Sequence, residues 1–251
     1  MVRCASACLV LVGLALPATA VWAQETVAFD RPGIGFSTAT LQPGQLAWEQ
    51  GLPDVEYSQY AGGRSRRLMA DTLLRLGLAD GLELQVGTDG YGWLSGRDAE
   101  GRWHAHGLGN ASIGLKRVLL SRWAGVSWAL RATANLPTGR GPLGGGDRQY
   151  ELGLAAQWDL GRERTGALYL GRSAGAGRGW MLAPSYGFAL PGDWSGYVEA
   201  GLGRGDQRGR QWGGGVTWQP VHRFQLDFSV LRGSHGAPDW QGGIGIALAF
   251  P

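Results

Sequence analysis

The sequence predicts an all-β protein: a transmembrane antiparallel up-and-down β-barrel of about twelve strands, with short periplasmic turns and longer external loops. Three observations carry that reading. Apolar and polar residues alternate with period two from about residue 45 to the C-terminus, which places successive side chains on opposite faces of a strand. The connections between alternating runs are short and long by turns, an asymmetry typical of outer-membrane barrels. Forty-five glycines and twelve tryptophans accompany only 17% charged residues, a composition unusual for a soluble globular domain.

The N-terminal residues form a unit of their own. Met1-Val2-Arg3 precede a mostly apolar stretch from Cys4 to Leu16, then Pro17 and small residues up to Val21-Trp22-Ala23. A short positive start, an apolar middle and a small-residue exit predict a secretory signal peptide over 1–23. Both cysteines, Cys4 and Cys8, fall inside it. The rest of the chain therefore excludes disulfides, thiolate metal sites and cysteine nucleophiles. Residues 24–44, with Pro32, Gly33, Gly35, Pro43 and Gly44, read as a periplasmic or plug-like segment. The barrel is expected over 45–251.

The alternation is clearest over 67–78, where Leu68, Ala70, Thr72, Leu74, Leu76 and Leu78 oppose Arg67, Met69, Asp71, Leu73 and Arg75. Equivalent patterns place strands near 45–55, 66–78, 81–93, 107–119, 124–136, 147–159, 164–171, 179–190, 194–202, 210–219, 222–232 and 239–250. Most have the length a tilted strand needs to cross a bilayer. Short turns are expected near 79–81, 120–123, 160–163, 190–193 and 219–222. Longer Gly- and Arg-rich loops are expected near 56–65, 94–106, 137–146, 172–178, 203–209 and 233–238.

A soluble β-sandwich would also alternate. Here, however, the polar face is dominated by Gly, Ala, Ser, Thr and Gln, and large aromatics sit near strand ends. Trp48, Tyr91, Trp93, Trp123, Tyr150, Trp158, Trp180, Trp194, Trp212, Trp218 and Trp240 look like two aromatic girdles at the bilayer interfaces. Closure also removes strand edges, whose unpaired backbone groups lipid does not tolerate.

Several stretches resemble a known family: Asp30-Arg31-Pro32-Gly33; Thr40-Leu41-Gln42-Pro43-Gly44-Gln45-Leu46-Ala47-Trp48-Glu49-Gln50-Gly51; Leu74-Arg75-Leu76-Gly77-Leu78 with Glu83-Leu84; Gly109-Asn110-Ala111-Ser112-Ile113-Gly114-Leu115-Lys116; and Asn135-Leu136-Pro137-Thr138-Gly139. The chain is similar there to outer-membrane transporters labelled for the meta-pathway of phenol degradation. The resemblance implies a channel-like outer-membrane protein for aromatic or other small hydrophobic compounds, with no catalytic residue to carry over. One departure is the C-terminus, where Phe250 is followed by Pro251 and the usual final aromatic residue is displaced.

Motifs that would carry other chemistry fail on context. A lipid hydrolase needs serine, histidine and an acid together, and His104, His106, His222 and His235 are expected in loops or a turn. His104-x-His106 with Asp98 and Glu100 is a poor preorganised metal site in a flexible loop. Gly139-x-Gly141-x-x-Gly144 matches a dinucleotide fingerprint by letters alone, because a strand and no helix follows it. No enzyme activity, cofactor or nucleic-acid partner is expected.

The informative polar set is the inward face: Asp71, Arg75, Glu83, Lys116, Arg131, Glu151, Asp159, Glu199, Arg223 and Asp227. In a water-filled barrel such groups line the pore wall and set solute selectivity; in a packed lumen they pair and close it. An at least partly open lumen is expected. The sequence reading is a passive channel for small solutes in the bacterial outer membrane, against a closed structural or interaction barrel and, third, a lipid hydrolase. Its expected partners are outer-membrane lipid and lipopolysaccharide, a small-molecule solute, and the barrel assembly machinery. External arginines (Arg64, Arg66, Arg97, Arg102, Arg140, Arg172, Arg204, Arg208) suit anionic solutes or lipopolysaccharide phosphates.

Overall fold

A computed structural model describes residues 26–251. The expected signal peptide and its cleavage region lie outside the described residues. Twelve antiparallel strands close into one barrel by pairing the last with the first. They are β1 (Leu46–Tyr60), β2 (Gly63–Met69 and Thr72–Ala79), β3 (Leu82–Thr88 and Tyr91–Asp98), β4 (Gly101–Leu108 and Ala111–Leu119), β5 (Val126–Leu136), β6 (Gln149–Gly161), β7 (Arg164–Gly175), β8 (Gly179–Ala189), β9 (Trp194–Gly205), β10 (Gly209–Val221), β11 (Phe224–Ser234) and β12 (Trp240–Phe250). Closure runs from Leu46 opposite Phe250 to Tyr57 opposite Trp240. No described helix is long and apolar enough to cross a membrane.

The connections differ from expectation at the external end. Most stretches read as long loops are strand, so β1–β2 turns at residues 61–62 and β3–β4 at 99–100. His104 and His106 therefore lie on β4, not in a loop. The strand expected to stop at 171 runs on to Gly175. The physical reason is solvent: where a β-ribbon rises above the bilayer both faces meet water, so pairing continues while hydrophobic alternation ends. The one long external connection, 137–148, holds a short 3-10 turn at Gly141–Leu143. It folds against the inner side of the ribbon, where the Arg140 N–H donates to the Leu108 carbonyl (3.0 Å). Asn110 anchors it, its Oδ1 accepting from the Gly139 and Gly145 N–H groups (3.1 and 2.9 Å) and its Nδ2 donating to the Gly145 carbonyl (3.1 Å).

Four neighbouring strands break their pattern at one level. β1 carries an extra residue between Gly51 and Asp54. β2 is interrupted at 70–71, β3 at 89–90 and β4 at 109–110. In β1, β3 and β4 the outward side changes residue parity across the break, as a bulge requires.

The outer wall is apolar between two aromatic belts. Near the short turns lie Trp123, Trp158, Trp194 and Trp218, with Trp194 and Trp218 stacked at 6.1 Å. Near the external end lie Tyr91, Trp93, Tyr150, Trp180, Trp212 and Trp240, all exposed on the outer surface. Between them Leu74, Val86, Ile113, Leu115, Leu152 and Ile244 face outward. Such exposure is the condition for residence in lipid.

Candidate functional site

The inner wall is built from small residues. Ala47, Ala129, Ala155, Ala183, Ala247 and Ala249 are all buried, although side chains this short leave room inside the barrel. The N-terminal segment fills that room. It enters at the short-turn rim, where the Val27 N–H donates to the His222 carbonyl (3.1 Å) and Gln219 Nε2 donates to the Val27 carbonyl (3.0 Å). It rises to Arg31–Gly35, then descends to Gly44, whose N–H donates to the Gly77 carbonyl (2.8 Å) before β1 begins. A Cβ on Gly77 would lie 2.0 Å from the Gln42 carbonyl oxygen, so the close approach of segment and wall needs glycine there.

Two apolar clusters seat the segment. Val27, Phe29 and Leu41 pack against Ala47, Ala247 and Ala249 beside the closing strand pair. Phe36 packs against Ala129, Ala155, Ala183 and Tyr169 on the opposite wall, meeting the Tyr169 ring edge-on at 5.7 Å. The Arg131 guanidinium lies 4.2 Å from the Phe36 ring centre, a favourable cation–π approach in a desolvated setting.

Between these clusters lie two ionic networks. In the first, Arg75 forks onto Glu83 through Nε and Nη2 (2.8 and 2.9 Å) and reaches Glu49 through Nη1 (2.8 Å). Glu49 in turn accepts from the Asp30 and Arg31 N–H groups (3.0 and 2.8 Å). The Asp30 carboxylate accepts from Lys116 Nζ (2.8 Å), Gln85 Nε2 (2.7 Å) and the Ser37 N–H (3.0 Å). Glu49, Glu83 and Lys116 have no solvent exposure at all. Burial alone would raise the Asp30 pKa, but Arg75, Lys116 and Arg131 together hold its carboxyl well below the usual range.

The second network centres on Arg31 at the tip of the segment. Its guanidinium contacts Asp54 at 3.0 Å, Asp71 at 3.1 Å and Asp227 at 3.5 Å. One cation thus faces three carboxylates. Burial would lower the Arg31 pKa, yet these carboxylates raise it above its ordinary value, so the charge on Arg31 is permanent. Beside it the Ile34 N–H donates to Glu199 (2.9 Å).

Of the ten residues read as inward-facing, the first network gathers Arg75, Glu83 and Lys116, and the second gathers Asp71 and Asp227. Glu199 meets the segment directly. Arg131 and Glu151 pair with each other at 3.5 Å, and the Tyr169 hydroxyl donates to Glu151 (2.7 Å). Asp159 lies at the short-turn rim, where it accepts from the Gly161 N–H (2.7 Å). Arg223 sits in the turn between β10 and β11. The inward-facing set read from the sequence omits Asp30, Arg31, Glu49 and Asp54, although the first three lie in the stretches that carry the family resemblance. The alternation of Trp48 against Glu49 carried the signal for Glu49, whereas Asp54 follows a bulge that resets the pattern.

Two cavities flank the tip. One, of about 370 Å³, opens between the tip and β1, β2, β11 and β12 and includes Asp54, Asp71 and Arg131. The other, of about 410 Å³, runs down β6–β10 to the short-turn rim and includes Tyr169, Tyr197, Glu199 and Gln219. Residues 30–33 and Gly35 line both. No group of His, Cys, Asp and Glu among the described residues could hold a metal ion.

The architecture is similar to that of solved outer-membrane proteins. The COG4313 outer membrane channel from Pseudomonas putida F1 is 13% identical, with a TM-score of 0.62 over 84% of this chain and 97% of that one. The KdgM porin, in complex with disordered oligogalacturonate, is 12% identical, with a TM-score of 0.54 over 82% of this chain and 99% of that one. No curated protein gives a significant match. Residues 29–250, from the foot of the luminal segment to the end of β12, match the family described as "Putative MetA-pathway of phenol degradation", and the chain belongs to that family.

Proposed function

We propose that this protein is a passive outer-membrane channel for small solutes in which the Asp30–Gly35 tip forms the constriction. The observation that carries the reading is the pair of cavities meeting the same tip residues from opposite sides. Solute would cross by diffusion, without reaction or cofactor. The second cavity joins the Phe36 and Tyr169 rings to polar Ser195, Thr217 and Glu199. That mixture suits a small amphipathic molecule such as a phenol, which needs an apolar wall and a hydrogen-bond acceptor. The family description supports the same class of solute, and the barrel shared with an outer-membrane channel supports passage through the lumen.

The density of ion pairs around Asp30 and Arg31 favours a second reading, a closed structural or interaction barrel. Conductance in planar bilayers, paired with liposome swelling in small phenols, separates the two. Discrete steps that change when Arg131 or Glu151 is neutralised support the channel. A silent, heat-modifiable barrel gives the closed reading.

A further inference from the structure

We propose that arginines on the outward face, just above the external aromatic belt, bind the phosphate groups of lipopolysaccharide in the outer leaflet. The proposal rests on the reading of the chain as an outer-membrane barrel with its short turns in the periplasm.

Charge on the outer wall is one-sided. Among the described residues no outward strand position carries Asp or Glu; the strand carboxylates point to the lumen or lie at the rims. Outward arginines gather at the external end. Arg64, Arg66, Arg97 and Arg102 lie on the β2–β4 ribbon, and Arg172, Arg204, Arg210 and Arg232 lie on β7, β9, β10 and β11. At the opposite rim the outward strand positions hold only Arg117 and Arg164. A preference for arginine over lysine can come from base composition. Its concentration on one face of one end cannot.

Strand register turns this bias into a surface. Arg64 pairs with Arg97 and Arg97 with Arg102, so three guanidiniums stand abreast. One step nearer the membrane, Tyr57, Arg66, Ser95 and His104 form the next row. That row continues through Trp240 to Arg232. Trp93 and His106 follow below. Arg232 lies over the Trp240 ring at 4.7 Å and Arg172 over Trp180 at 4.8 Å, which fixes both cations at the level of the belt. None of these eight arginines pairs with a carboxylate among the described residues. At this end Asp98, the last residue of β3, and Asp206 and Asp239, which lie in the connections, accept from backbone N–H groups instead.

Like charges directly opposite on neighbouring strands repel, so the Arg64–Arg97–Arg102 row calls for an outside polyanion. The aromatic belt marks the membrane interface; the row stands immediately above it, where a phosphorylated glycolipid presents its head group. Guanidinium forks match phosphate oxygens in paired hydrogen bonds. A solute in the lumen would not meet this face.

The test compares wild type with Arg64→Gln/Arg66→Gln/Arg97→Gln/Arg102→Gln in phospholipid vesicles. The vesicles contain diphosphoryl lipid A, dephosphorylated lipid A, or neither, and the readouts are the heat-modifiability midpoint and the lipid A retained after detergent extraction. Phosphorylated lipid A should raise the wild-type midpoint and be retained at least fivefold more than by the quadruple variant; dephosphorylated lipid A should do neither. Arg117→Gln/Arg164→Gln should behave as wild type. Equal effects of both lipids, an unchanged quadruple variant, or an equal loss in the opposite-rim variant overturns the proposal. Inorganic phosphate that reproduces the full shift also overturns it, in favour of a soluble anion. If the quadruple variant does not refold, Arg64→Gln/Arg97→Gln carries the same expectations. Conductance of these variants should match wild type, which keeps the outcome separate from that of the channel reading.

Discussion

Lys116 Nζ lies 2.8 Å from Asp30 Oδ1, joining a wall strand to a luminal segment 86 residues away in sequence. The same carboxylate is approached by Arg75 at 3.8 Å and by Arg131 at 4.0 Å. Removing it would leave three buried or half-buried cations short of a partner. Breaking a buried ionic group in this way costs about 3–5 kcal/mol. Asp30→Asn should therefore lower the heat-modifiability midpoint and raise mean conductance. An unchanged midpoint would show that Asp30 does not anchor the segment.

Arg31→Gln should act on permeation as well as on stability, because the buried Asp227 loses its partner. It removes the cation paired with Asp54, Asp71 and Asp227, so the constriction should widen and its field turn negative. We expect conductance to rise several-fold and the reversal potential in a salt gradient to shift toward cations. Loss of conductance, or a shift toward anions, would contradict this arrangement.

A covalent tether checks that movement of the segment is what opens the pore. A Cβ on Gly35 would lie 3.0 Å from Tyr169 Cβ, so the segment need move out by only about 0.5 Å to reach the separation of about 3.5–4.5 Å that a disulfide bridges. In an Arg31→Gln background, the pair Gly35→Cys/Tyr169→Cys should show near wild-type conductance when oxidised and the raised value when reduced. Conductance insensitive to reductant would place the constriction elsewhere.

Acid in the mild range should not weaken the Asp30 anchor. The Asp30 pKa is depressed in the folded protein, so its stabilising contribution is full above the unfolded carboxyl value of about 3.9. It disappears only as pH falls through the lower folded value. Midpoints measured at about pH 7 and about pH 5 should give the same difference between wild type and Asp30→Asn. A difference that vanishes by the lower pH would mean that Asp30 titrates normally.

Asn110→Ala removes three hydrogen bonds to the 137–148 connection. The loop should loosen at a cost of about 1–3 kcal/mol. Trypsin should then cut at Arg140 or Arg148 several-fold faster, with the embedded barrel left whole. Equal cleavage rates would remove Asn110 as the anchor.

Much of this was legible in the sequence, and for a definite reason. Inside the bilayer one face of each strand meets lipid and the other does not, so Leu74, Leu76 and Leu78 against Arg75 announce both the strand and its facing. Above the bilayer that contrast ends, and strand residues such as Arg64 and His104 read as loop. The luminal segment was half legible. Its Pro and Gly content excluded a strand, and the alanines of the inner wall recorded the room it needs, but no periodicity links Arg31 to Asp227. Long-range charge pairing of this kind has no signature in local pattern.

The bulges of β1, β3 and β4 and the interruption of β2 fall at one level, and their alignment has an evolutionary consequence. The breaks in β1, β3 and β4 each absorb a change of parity, so residues on one side need not keep step with residues on the other. The external ribbon is in effect a module set on a fixed base. It can gain, lose or exchange residue pairs under selection by the cell's surroundings while every lipid-facing leucine below keeps its place.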